Sequence, residues 1–146
     1  MVIDAATDRD LPGVRRLLDQ HHLPLDGVDD HVQTMVVARE GSTVVGTAAV
    51  ELYADGALLR SVAVDPSIQG RHLGHELTEA ALRVARVNGI DTVYLLTTTA
   101  EKFFPKLGFE PITRDQVPVT VQASLEFRSA CPASAVAMRK RLDVEG

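Results

Sequence analysis

Residues 62–74 join a predicted strand to a predicted helix through a loop that contains Gly70. Successive backbone N–H groups in such a loop, with the positive end of the helix dipole behind them, form a concavity suited to a pyrophosphate. Gly70 and Gly74 would let the backbone approach such a ligand closely, because neither carries a side chain. Two glycines four residues apart also occur in plain strand-to-helix turns, so this spacing alone leaves both interpretations open.

Glu51 and Arg60 are charged residues of predicted strands in which apolar residues dominate. A carboxylate partly shielded from water there is a candidate general base, which takes a proton directly or through a water molecule. The alternative is an ion pair with Arg60 or a solvated charge at the strand end. Arg60 has the same alternatives, and as a functional group it would hold a carboxylate or an oxyanion of a ligand in bidentate fashion.

Other side chains are weaker candidates for a functional role. Tyr53 would serve as a proton donor if it faced a cleft, although a tyrosine near a hairpin is usually a half-buried packing residue. Arg128 is a second candidate for binding an anion, but an arginine on a helix surface is more often solvated. Cys131 is the only cysteine of the chain, which favours a buried structural thiol. His21 and His22 lie at a predicted helix end without further ligands at metal-binding spacing, so no metal is predicted.

The elements that would position these residues alternate between helical and strand patterns. Residues 2–5 are predicted to form a strand, and Thr7 with Asp10 forms a Thr-x-x-Asp start signal for the helix that follows. Residues 21–30 break that helix, and we interpret them as a lid over a binding site, with one short turn around residues 28–32.

The rest of the chain predicts a central sheet covered by helices. The gaps between the three β-rich runs 35–39, 43–53 and 57–64 are so short that they predict an antiparallel meander. A helix from Leu73 to Gly89 follows, and then come a strand at 92–97, a short helix at 99–107, a strand at 109–112, a helix at 118–130 and a strand at 135–139. Helices on both faces of a mixed central sheet are the expected result, which is an α+β or mixed α/β class.

Composition limits the classes of function. The chain has 146 residues, 45% of them hydrophobic, which predicts one domain spanning residues 1–146. No apolar run is long enough to cross a membrane, so we expect a soluble, unexported protein, and a single cysteine favours the cytoplasm. A formal net charge of −5, scattered basic residues and the absence of Trp make nucleic acid an unexpected partner.

Two blocks of the chain resemble motifs of the GNAT N-acetyltransferase superfamily. Residues 62–74 resemble its motif A, in which Gln/Arg-x-x-Gly-x-Gly/Ala follows a strand, and Gln69, Leu73 and Gly74 match. His72 stands where the second glycine of the motif is usual, so we expect it either to keep a helical, negative-φ conformation or to reshape the loop slightly. Residues 100–109 resemble motif B, commonly Phe-Tyr-x-Lys-Leu-Gly-Phe, with Phe104 where many members carry a tyrosine thought to protonate the leaving thiolate.

This resemblance implies an enzyme that transfers an acetyl group from acetyl-CoA to an amine. It implies that the strand ending at residue 64 splays from the strand ending at residue 97, with the pantetheine arm between them and an oxyanion donor at the N–H near Val62. Thr97 lies about where an Asn often contacts the cofactor. The implied cofactor-binding residues are Val62, Ala63, Val64, Gln69, Gly70, Arg71, His72, Leu73, Gly74, His75, Thr97 and Phe104. Glu51 and Val62 are the catalytic candidates, and Arg60, Tyr53 and Arg128 are the substrate-binding ones.

Residues 59–64, 94–101 and 131–136 further resemble the N-acetyltransferases encoded in arsenic-resistance operons, and this likeness covers most of residues 2–140. It implies a small-molecule amine as acceptor, such as an amino-acid-like organoarsenical or a related herbicide analogue. The alternatives are acetylation of a protein N-terminus or lysine, and an acyl-CoA sensor without catalysis, which Phe104 keeps open. The sequence also leaves a homodimer open.

Overall fold

The computed structural model describes residues 2–23, 25, 27–68, 72–97, 102–122 and 135–142. The helices within these residues are α1 (Leu11–Gln20), α2 (Leu73–Val87) and α3 (Val119–Gln122). The strands are β1 (Val2–Ala5), β2 (Met35–Glu40), β3 (Thr43–Tyr53), β4 (Gly56–Val64), β5 (Thr92–Thr97), β6 (Glu110–Ile112) and β7 (Val136–Arg141). They form one sheet in the order β1-β2-β3-β4-β5-β7-β6.

The sheet is mixed, as predicted. Strands β2, β3 and β4 form the antiparallel meander that the short gaps indicate, and β4 with β5 is the parallel pair among the described strands. Antiparallel neighbours can be joined by tight turns, whereas the parallel pair needs the crossover that α2 provides. The predicted α/β class is therefore confirmed.

Helices cover both faces of this sheet. Helix α1 buries Val14, Leu17 and Leu18 completely against one face, which we call the α1 face. Helix α2 packs on the opposite face, where a Cβ added at Gly46 of β3 would lie 2.5 Å from Leu77 Cδ1. A side chain at position 46 would push α2 away from the sheet, so glycine permits this close approach.

Two predicted helices differ from what is observed. Over residues 102–107, the short helix predicted at 99–107 is wrong, because the structure forms a single 3-10 turn at Phe104–Leu107. Pro105 supplies no N–H for a helical hydrogen bond, and Gly108 ends the turn with φ +95°. Of the helix predicted at 118–130, α3 covers Val119–Gln122, and residues 123–130 lie outside the described part of the chain.

The predicted helix start at Thr7 is a polar cluster that ties α1 to the sheet. The Asp10 carboxylate accepts the Thr7 backbone N–H at 2.8 Å, and Arg39 of β2 donates to the same carboxylate at 2.7 Å. A 3-10 turn at Asp8–Asp10 comes before α1 itself. The hydrogen bond from Arg39 is the main reason why the pKa of Asp10 falls from its ordinary range to about 2.

We expect Asp10→Asn to lower the free energy of unfolding by about 1–2 kcal/mol at neutral pH. The folded-state pKa is depressed, so the carboxylate stabilises the fold above pH 4 and loses that contribution as the pH falls through about 2. The variant should therefore show a flatter dependence of stability on pH between 2 and 4. Urea unfolding at a series of pH values measures this dependence, and an unchanged slope would contradict the assignment.

Candidate active site

Strands β4 and β5 separate along most of their length. Their pairing joins Ala57 to Val93 and Leu58 to Tyr94, and within the described chain it does not continue toward Val64 and Thr97. An extended ligand can bind as an added strand in a gap of this kind between two strands of a sheet. We call this gap, bounded by residues 59–64 and 95–97, the β4–β5 opening. The predicted splay of the two strands is confirmed.

A β-bulge lies in β4 beside this opening. Thr47 pairs with Ala63 and Ala49 pairs with Arg60, so Ser61 and Val62 together oppose one residue of β3. Ser61 adopts φ +59°, a conformation that side chains rarely take. A bulge releases a peptide group from the ladder, so a backbone N–H at this position can donate to a ligand. The oxyanion role of the Val62 N–H stays a prediction.

The first turn of α2 follows directly on the end of β4. The first N–H groups of a helix have no acceptor within it, and together with the helix dipole they suit an anion. Gly74 lies in this turn, and a Cβ added there would lie 3.4 Å from Phe103 Cζ and 3.7 Å from Val64 Cγ2. Leu73 is buried beneath the turn, whereas Gln69, Gly70 and Arg71 lie outside the described residues.

His72 precedes α2 in a left-handed conformation, with φ +59° and ψ +15°. The alternative in which His72 keeps a negative φ is therefore wrong. His72 instead adopts a backbone conformation that favours glycine, the residue that is usual at this position of the motif that the sequence resembles. Histidine is among the side chains that tolerate this region of conformational space.

We expect His72→Val and His72→Gly to differ sharply in acetyl-CoA binding. A β-branched residue fits the left-handed region poorly, and the strain of about 1–2 kcal/mol should shift the turn and weaken acetyl-CoA several-fold. Glycine adopts the same φ without strain, so that variant should bind acetyl-CoA as well as the native protein does. Calorimetric titration of both variants measures this, and equal weakening would show that the imidazole rather than the turn matters.

The remaining predicted cofactor residues lie around the opening or under it. Thr97 is the last residue of β5, at the wide end of the β4–β5 opening, and its side chain is buried. Phe104 is a packing residue, with edge-on ring contacts to Phe103 at 5.1 Å and to Phe109 at 5.7 Å between centroids. Burial of Phe104 at 6% exposure agrees with the prediction that its ring packs and moves no proton.

Glu51 lies at the centre of a buried polar cluster on the α1 face. Arg60 Nη1 donates to Glu51 Oε2 at 2.7 Å, and both side chains are almost fully buried. The Tyr53 hydroxyl donates to Glu51 Oε1, and His31 Nε2 lies 3.1 Å from Oε2. We call Glu51, Arg60, Tyr53 and His31 the Glu51 network. The ion pair that the sequence left as an alternative is thus confirmed.

Strand order explains where the network lies. Glu51 pairs with Leu58 across the β3–β4 hairpin, as predicted, and Arg60 follows two residues later on the same face. An apolar cluster under α1 lies on one side of the network, and a second cluster that contains Leu58, Tyr94 and Val121 lies on the other. Arg60 is also two residues before Val62, so the network adjoins the β4–β5 opening.

Two histidines of the site carry contacts that the sequence did not predict. His31 belongs to the Glu51 network, and its 3-10 segment Val28–Thr34 has no strand pattern from which this contact could have been found. His21 Nε2 lies 2.8 Å from the carbonyl oxygen of Val64 and so links the end of α1 to the end of β4. Arg128 and Cys131 lie outside the described residues.

In the described ranges, no group of three or more His, Cys, Asp or Glu residues is placed to hold a metal ion. No helix of the described chain is long and apolar enough to span a membrane.

Comparison with known proteins decides the family. The protein-family model described as the acetyltransferase (GNAT) domain matches residues 31–111, which is more than half of the chain. The chain belongs to the GNAT acetyltransferase family. It is 30% identical to an amino-acid acetyltransferase of Mycobacterium tuberculosis, over 98% of this chain and 84% of that protein. It is 38% identical to an amino-acid acetyltransferase of Pseudomonas syringae pv. syringae, over 64% of this chain but 22% of that protein.

Solved structures share the GNAT fold. N-acetylglutamate synthase of Neisseria gonorrhoeae, complexed with coenzyme A and N-acetyl-glutamate, superposes with a TM-score of 0.83 at 22% identity, over 97% of this chain and 35% of that one. The Rv2747 protein of Mycobacterium tuberculosis, solved with CoA, superposes with a TM-score of 0.80 at 24% identity, over 97% of this chain and 99% of that one. The GNAT chain is therefore an acyltransferase, and acetyl-CoA is its co-substrate.

Proposed function

We propose that this GNAT acyltransferase transfers the acetyl group of acetyl-CoA to the amine of a small amino acid or an amino-acid-like compound. The observation that carries the proposal is the position of the buried Glu51 network next to the β4–β5 opening, so that charged groups lie beside the place for the thioester. The proposal is supported by relatives that are named amino-acid acetyltransferases.

In this proposal the β4–β5 opening holds acetyl-CoA, the donor of the acetyl group. The pantetheine arm lies along residues 62–64 as an added strand, and the pyrophosphate lies at the first turn of α2, where His75 and its neighbours present N–H groups. Gln69, Gly70 and Arg71, which lie outside the described residues, would complete that binding loop in this proposal. Thr97 and Phe104 would line the opening from the β5 side.

The chemical step needs a neutral amine, a fixed thioester and a donor for the oxyanion. The amine nitrogen attacks the thioester carbonyl and forms the C–N bond, while the Val62 N–H stabilises the oxyanion. The C–S bond then breaks, and the amine proton leaves through the Glu51 network. Phe104 has nothing to ionise, so the CoA thiolate leaves unprotonated or takes a proton from water.

The acceptor would be held through its anionic end. Arg60 donates from Nη1 to Glu51 at 2.7 Å and from Nε to Ser61 Oγ at 3.2 Å, and in this proposal its positive charge attracts the carboxylate or arsinate of the acceptor. Tyr53 and Arg128 are further proposed contacts for the acceptor. An organoarsenical amino acid stays a prediction within this acceptor class, and the amino-acid acetyltransferase relatives favour ordinary amino acids.

A thiol-release assay with a panel of amines tests the proposal. The panel contains L-amino acids, an amino acid with a side-chain arsinate or phosphinate, short peptides and a blank without amine. We expect CoA release with the amino acids, at least tenfold faster than with peptides. Faster release with peptides would favour acetylation of proteins, and acetyl-CoA binding without release in any arm would favour a sensor.

A further inference from the structure

His31 differs from the other members of the Glu51 network in its access to solvent. The side chain of His31 is 27% exposed, whereas those of Glu51 and Arg60 are 2% and 1% exposed. Both oxygens of Glu51 already contact neighbours, because Tyr53 binds Oε1 while Arg60 and His31 bind Oε2. An acceptor amine that enters from solvent therefore meets the imidazole before it can meet the carboxylate.

We propose that His31 takes the proton from the acceptor amine, and that Glu51 is the positioning residue that orients the His31 ring. This inference rests on the proposed acetyl transfer to an amine. In a neutral imidazole one ring nitrogen carries the proton and the other is an acceptor. An Nε2–H that donates to Glu51 at 3.1 Å leaves the Nδ1 lone pair for the amine.

The backbone around His31 fixes the ring in place. His31 lies in the 3-10 segment Val28–Thr34 at a kink, with φ −120° and ψ +17°. The Thr34 hydroxyl donates to the carbonyl oxygens of His31, at 3.3 Å, and of Val50, the residue before Glu51. Val28 at the start of the segment is buried under α1. The segment is thus attached to β3 at one end and to the core at the other.

Charged and titratable groups near His31 in the described residues lie on β3, on β4 and in its own segment. Glu51 and Tyr53 face it from β3, and Arg60 lies behind Glu51 on β4. Asp29 and Asp30 precede it in its own segment, and Arg15 of α1 pairs with Asp29. Among these groups, the Glu51 carboxylate is the one in direct contact with the His31 ring.

The step balances in atoms and charge. The amine nitrogen forms its bond to the thioester carbon and gives its proton to His31 Nδ1, and the C–S electron pair leaves with the CoA sulfur. The imidazolium then returns its proton to water, for which the exposed part of the ring is suited. Glu51 keeps its hydrogen bonds throughout, and none of its covalent bonds forms or breaks.

The decisive experiment compares His31→Ala, Glu51→Gln and the native protein, each with the best amine found in the thiol-release panel. We expect His31→Ala to lower kcat at least 100-fold at pH 7, which is the smallest effect expected when a general base is removed. The KM and the acetyl-CoA Kd should change less than about threefold. Added imidazole should restore part of the lost rate, which it cannot do for a residue that only packs. Glu51→Gln should lower kcat less, without rescue by imidazole.

His22→Asn is the matched control. His22 is exposed and outside the network, and asparagine tolerates its φ of +54°, so this variant should keep the native rate. Retention of native kcat by His31→Ala across the pH range would overturn the inference, and so would a larger loss in Glu51→Gln than in His31→Ala. Failure of the native protein to release CoA with any amine would instead overturn the proposed function itself.

Discussion

Replacing Arg60 with alanine should lower the free energy of unfolding by about 3–5 kcal/mol. The substitution leaves the buried Glu51 carboxylate without the guanidinium that contacts it at 2.7 Å. An uncompensated charge in the interior is expensive, because the protein cannot replace the water that the charge has lost. Chemical denaturation monitored by circular dichroism measures the loss.

A double variant separates this electrostatic effect from packing. Glu51→Gln together with Arg60→Met removes both charges while keeping side-chain volume, and it should recover most of the stability lost in Arg60→Ala. A loss below about 1 kcal/mol in Arg60→Ala would contradict the buried pair, because this is the size expected for an exposed one. The expected instability also means that a raised KM in Arg60→Ala alone does not establish substrate binding.

The position of Glu51 near Arg60 can be predicted from the sequence of the β3–β4 hairpin. Turn residues between β3 and β4 are so few that the register follows, and this register places Glu51 near Arg60. The ion pair was therefore among the interpretations that the sequence allowed. Which interpretation is correct depends on burial, and burial is decided by the apolar clusters that pack around the pair from distant segments.

The bulge in β4 and the histidines of the site could not be derived in the same way. Ser61 with φ +59° carries no turn signal of its own, because a bulge is fixed by the pairing of the whole strand. The sequence alone allows two conformations of His72, since histidine is tolerated in either region. His31 lies in a segment without helical or strand periodicity, so its contact with Glu51 is a product of tertiary packing.

Gly74→Glu should abolish measurable acetyl-CoA binding while leaving the fold intact. The first turn of α2 is where the pyrophosphate is expected, and a carboxylate there opposes the anion and occupies its N–H donors. The same carboxylate suits the positive end of the helix dipole in the free protein, so stability should not fall. We expect an acetyl-CoA affinity at least 100-fold weaker, which corresponds to about 2.7 kcal/mol or more.

Two control variants at the same position separate the effect of charge on acetyl-CoA binding from the effect of side-chain volume. Gly74→Ala places a Cβ 3.4 Å from Phe103 Cζ, an ordinary contact distance, and should bind acetyl-CoA within a few-fold of the native protein. Gly74→Gln has nearly the volume of the glutamate without its charge, so it should fall between the alanine and glutamate variants. Calorimetric titration at low and high salt measures all three, because salt screens the repulsion and should relieve only the glutamate variant. Unchanged affinity in Gly74→Glu would mean that the pyrophosphate binds elsewhere, since no anion tolerates a carboxylate among its N–H donors.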